Sequence, residues 1–132
     1  MIPMMHARAA NAYRRVDLES APKQDVLGRL FERFGADLVA ARTAIAAKDI
    51  VAKAAAFDHA LRIVGELEAS LDHTAAPELC AQLQSLYRFV SDALIKVNRS
   101  LDPKGLDVPV KVMSDIAGAF RDAQHPRMQR AP

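Results

Sequence analysis

From Val26 the apolar residues Leu27, Leu30, Phe31, Phe34, Leu38, Ala41 and Ile45 recur at steps of three and four, the spacing that lays one stripe along one face of a helix. A first helix over about 22–47 follows, opened by Ser20-Ala21-Pro22, in which a hydroxyl caps free N–H groups and a proline stands in the first turn. Lys48-Asp49 is a minimal connection with Asp49 placed to cap the next helix, and Ile50, Ala54, Phe57, Leu61, Val64, Leu67 and Leu71 continue the stripe over about 50–71. Pro77 and Glu78 open a third helix, about 77–101, whose stripe runs through Leu79, Leu83, Leu86, Tyr87, Val90, Leu94, Val97 and Leu101. Gly105 and Pro109 make the following stretch a poor helix interior, so a fourth and shortest helix is placed at about 107–123, with Val112, Met113, Ile116 and Phe120 inward. Connections this short force neighbours antiparallel, so the pattern predicts an all-α, up-down-up-down four-helix bundle over 20–124.

Two segments flank it. Over 1–19, Met5, Ala9, Ala12, Tyr13 and Val16 share a helical face opposite Arg8, Asn11, Arg14 and Arg15. A helix of about twelve residues is marginal alone, so this one is expected to order only by docking on the bundle, as a displaceable lid. The tail 125–132 has no stripe to bury and is expected to be mobile.

Composition narrows the function. With 132 residues the chain has the size of one domain, and its 51% hydrophobic, 5% aromatic make-up without Trp favours helices over strands. Eighteen Lys and Arg against sixteen Asp and Glu give a net charge of +2, too balanced for whole-chain capture of phosphate backbones or anionic membranes. Neither nucleic acid nor membrane insertion is expected. No apolar run approaches the roughly 18 residues of a span, and the first residues lack the layout of a secretion signal. The lone Cys80 gives no intrachain disulfide or thiolate cluster, which fits a reducing, cytoplasmic setting.

Candidate chemistry is sparse. His6, His59, His73 and His125 show no i, i+3 or i+4 pairing with another His or a Glu, so no helical metal site is expected. Cys80, in the first turn of the third helix, has no evident basic partner and reads as a small buried residue. The scattered glycines form no phosphate loop, and Gly28, Gly35 and Gly65 inside helices suggest close packing or a flexible first helix. The expected protein has no catalytic residues and no cofactor; it works by binding.

Several stretches in sequence order carry a resemblance: Ile45-Ala46-Ala47-Lys48-Asp49, Ala60 to Asp72, Leu83-Gln84-Ser85-Leu86-Tyr87, Leu94-Ile95-Lys96-Val97-Asn98 with Asp102-Pro103, and Asn11-Ala12-Tyr13 ahead of Pro22. Together they resemble the flagellar secretion chaperone family FliS over about 11–123. The chain departs from the family pattern at Gln124, near which a Trp is frequent, and in a first helix one residue longer before Leu30-Phe31. The resemblance implies a cytoplasmic chaperone that binds the C-terminal helical region of flagellin, prevents premature polymerisation and supports export through the flagellar type III secretion apparatus, with the export gate as a further partner. Joined with the amphipathic pattern, it leads us to expect Met5, Ala9, Tyr13 and Val16 as the lid and a client groove at Leu71, Leu86, Tyr87, Val90, Leu94 and Asn98, about half of which would also serve as core. A monomer or weak dimer is expected. A non-catalytic adaptor or regulator for another flagellar or secretion component fits the same residues.

Overall fold

The computed structural model describes residues 21–124, so the lid residues Met5, Ala9, Tyr13 and Val16, the capping Ser20 and the tail lie outside the described residues. Four helices follow one another: α1 (Ala21–Ala47), α2 (Ile50–Ala69), α3 (Pro77–Ser100) and α4 (Asp107–Gln124), with a single 3-10 turn, Pro103–Leu106, before α4. Neighbours in sequence pack side by side, and α4 closes the ring against α1, leaving α1 and α3, like α2 and α4, diagonal to each other. The side chains fix the direction of each pairing. Glu68 near the end of α2 meets Gln84 near the start of α3, while Lys53 near the start of α2 meets Asn98 near the end of α3. Arg42 late in α1 meets Asp107 at the start of α4. The bundle is therefore antiparallel throughout.

The apolar stripes meet in one core. Phe34, Phe57, Leu67, Leu83, Tyr87, Leu94, Leu106 and Ile116 are all buried there, each large side chain contributing roughly 1.5–3 kcal/mol relative to exposure. Phe31 on α1 and Phe120 on α4 place their ring centroids 5.4 Å apart at 43°, which joins the first and last helices. Among the small residues, Ala44 and Ala60 are buried, whereas Ala40 and Ala54 face solvent.

Helix ends depart slightly from the periodicity, each for a local reason. The Asp49 carboxylate does cap α2, accepting from the Ala52 N–H. That helix stops at Ala69 rather than Leu71, because the Ser70 hydroxyl donates to the Leu67 carbonyl and the Asp72 carboxylate binds the Thr74 N–H and hydroxyl, building a turn. Similarly, α3 ends at Ser100, because Leu101 turns left-handed (φ 63°) while donating to the Val97 carbonyl. Leu101 consequently misses the core and stands 46% exposed, and Ile50, the first residue of α2, is 69% exposed. Pro109 falls in the first turn of α4, where a missing N–H breaks no intrahelical bond, and is fully buried.

Close packing does not explain Gly28, Gly35 or Gly65. A Cβ at Gly35 or Gly65 would meet nothing, and one at Gly28 would make ordinary contact with Phe120 at 3.8 Å. The close approach lies instead at Gly105 in the 3-10 turn, where a Cβ would come within 2.6 Å of Val97 Cγ2.

Candidate binding surface

Helix α3 carries most of the residues singled out in the sequence, and its two flanks differ. Cys80, Leu83, Tyr87, Val90, Leu94 and Val97 repeat at three and four and bury one face in the core. The flank toward α2 is polar up to Arg88, with exposed Ile95 two turns further along it. Gln84 Nε2 donates to Glu68 Oε2 at 2.9 Å, Arg88 Nε approaches the same oxygen at 3.5 Å, and Lys53 Nζ donates to the Asn98 carbonyl at 3.1 Å. The opposite flank, on the α4 side, carries half-buried Leu79 and Leu86 and Phe89, a phenyl ring 45% exposed.

Four of the six groove candidates belong to the interior: Tyr87, Val90 and Leu94 are fully buried, and Leu71 is buried in the turn after α2. Leu86 and Asn98 reach the surface in part. Asn98 has a further property. Its Oδ1 is buried without a hydrogen-bond partner although the backbone carbonyl of the same residue is satisfied by Lys53, and Gln82 Oε1 is in the same condition. A buried amide oxygen without a donor costs about 1–3 kcal/mol, so both are local weak points of the packing. Sequence reasoning missed Phe89, Ile95 and Gln82. The signal was available for the first two, since the repeat 83-87-90-94-97 already accounts for the core and leaves both as apolar residues off the buried face.

Grooves between helices add apolar surface. Between α1 and α4 a cavity of about 320 Å³ is lined by Phe34, Gly35, Leu38, Val110, Met113 and Ala117. At the α1–α2 turn another, of about 390 Å³, is lined by Ile45, Lys48, Ile50, Lys53 and Leu101. Among the described residues no three His, Cys, Asp or Glu gather as a metal site. The ionisable groups that do meet are structural. His59 Nδ1 on α2 lies 2.5 Å from Asp37 Oδ2 on α1, tying the first two helices. Hydrogen bonds from Thr74 hold the Asp72 carboxyl below its usual range. Burial pushes the Cys80 thiol up, with the Asp72 charge acting in the same direction, so this thiol stays protonated and unreactive. No described helix is long and apolar enough to cross a membrane.

Fold and surface together define a small antiparallel helical bundle with apolar side chains along helix flanks and inter-helix grooves. The chain belongs to the FliS family: the model for the flagellar protein FliS matches residues 5–127. The flagellar secretion chaperone FliS of Salmonella typhimurium is 31% identical over 124 residues, covering 89% of this chain and 91% of the relative.

Proposed function

We propose that this chain is a flagellin export chaperone: in the cytoplasm it holds the C-terminal helical segment of flagellin, prevents premature polymerisation, and hands the subunit to the flagellar type III secretion apparatus, with the export gate as a second partner. The family match over residues 5–127 carries this reading, because it spans the bundle and most of the N-terminal segment together. The surface of α3 supports it. Half-buried Leu79 and Leu86 and exposed Phe89 offer apolar contact along one flank. Recognition is then of the helix-in-groove kind, in which ordering of the client offsets part of the contact energy and keeps the complex releasable. The protein acts by binding alone, without catalytic residues or cofactor.

The residues Met5, Ala9, Tyr13 and Val16 form a displaceable lid in this reading, and the buried Tyr87, Val90 and Leu94 shape the surface from beneath. Calorimetry against a peptide of the C-terminal helical region of the host's flagellin, with circular dichroism of the mixture, tests client and mechanism together. Near one-to-one binding with a gain of helix beyond the sum of the parts is expected. Absence of binding even to full-length flagellin would leave an adaptor for another flagellar component. Deleting residues through Val16 is expected to leave the bundle helical and strengthen peptide binding, with Tyr13→Ala acting in the same direction more mildly. A deletion that unfolds the bundle would make the segment part of the core instead.

A further inference from the structure

The near-neutral total charge conceals a separation along the bundle. Residues 42–53 and 95–111 form one end, as the contacts of Arg42 with Pro103 and Asp107 and the cavity shared by Lys48, Ile50 and Leu101 show. This end holds seven Lys and Arg against three Asp, whereas the other described residues hold six against eleven Asp and Glu. All three aspartates are engaged: Asp49 caps α2, Asp102 accepts from the Lys104 N–H, and Asp107 pairs with Arg42. Lys48, Lys96, Arg99 and Lys104 are exposed and have no carboxylate partner among the described residues.

Large apolar side chains gather at the same end. Of eight that are exposed, five lie there: Ile50 (69%), Val51 (81%), Ile95, Leu101 and Val108 (58%). This segment pair is little more than a quarter of the described chain, so the concentration is real and sits among unpaired cations. We propose that this end docks the protein peripherally on an anionic lipid surface, with Ile50, Val51 and Val108 entering the headgroup layer and Lys48, Lys96, Arg99 and Lys104 meeting lipid phosphates. Charge complementarity selects an anionic occupant. Lipid is favoured over an acidic protein because Val51 and Val108 stand out from the first turns of two different helices, and a headgroup layer receives such side chains without a matching surface. Each Lys or Arg near an anionic leaflet adds only a modest attraction, so a few cations with shallow apolar insertion give weak, reversible and salt-sensitive binding. This inference is independent of which client the chain carries.

Cosedimentation of the full chain with vesicles of equal parts phosphatidylglycerol and phosphatidylcholine, and with phosphatidylcholine alone, tests it. Binding to the anionic vesicles only, weakening as salt rises, is expected. The double change Ile50→Asp with Val51→Asp, and separately Lys48→Glu with Lys104→Glu, should each lower binding at least about ten-fold, the two charge reversals being worth that much alone. Val26→Asp, at the other end of α1, should leave it unchanged. Helical circular dichroism verifies folding, and the charge-reversal pair keeps the test decisive if the apolar pair misfolds. No binding to anionic vesicles overturns the proposal. So does binding that both turn-end variants leave intact, which would assign it to the arginines of residues 1–20 and 125–132. Loss of flagellin binding in these variants without any vesicle binding would overturn it too, making this end a protein-docking surface.

Discussion

The α1–α2 turn and the α3–α4 connection lie at the same end of the bundle, yet only the second is tied into the core. The longer connection winds into a 3-10 turn that buries Leu106 and presses Gly105 against Val97, and Arg42 reaches across from α1 to bind its Pro103 carbonyl and the Asp107 carboxylate. By contrast, the shorter is held by backbone geometry and one cap: Lys48 takes a left-handed conformation (φ 57°), its N–H bonds the Ile45 carbonyl, and Asp49 caps α2. The next two side chains, Ile50 and Val51, then project outward. A two-residue turn positions helices without supplying side chains to cover the end it creates. The longer connection does both.

The sharpest way to break this contrast is Gly105→Ala. Its new methyl would overlap the buried Val97, a short branched side chain with little room to yield, so a loss of about 1–3 kcal/mol is expected in chemical denaturation. An unchanged midpoint would show the connection floating as freely as the other turn. Asp49→Ala is expected to cost about 1 kcal/mol by removing the cap on which the short turn depends, and Asp49→Asn to restore most of it. Lys48→Gly should move stability the other way, by up to about 1 kcal/mol, because glycine adopts the left-handed conformation without steric cost. Arg42→Ala should have the smallest effect, below about 1 kcal/mol, since both partners of that ion pair are largely solvated. A larger loss would mean that the guanidinium, through Pro103, anchors the whole connection.

Helix spacing and caps were legible in the sequence because each stripe is long and each break carries a residue with one local role, such as Asp49 or Pro77. Periodicity alone could not separate the stripe's ends from its middle. Ile50 and Leu101 keep the spacing but fall where the neighbouring helix has already ended, so their exposure depends on relative helix length rather than on pattern. The surface was harder still. Tyr87, Val90 and Leu94 carry the apolar character of a groove and the spacing of a core, and the structure buries them, while Phe89 and the orphaned Gln82 and Asn98 oxygens emerge only once the flanks of α3 are assigned to neighbours. Likewise, Gly35 and Gly65 suggested tight contacts that neither makes, whereas Gly105 does make one.

The buried Cys80 offers a way to watch this molecule work. It is the single cysteine in the chain, and its Sγ donates to the Asp72 carbonyl at the mouth of the α2–α3 turn. A protonated, covered thiol reacts with a soluble alkylating reagent only during moments when the start of α3 comes loose. The native residue is therefore a built-in clock: its labelling rate, compared with that of a free cysteine, times the breathing of that junction without any engineered probe.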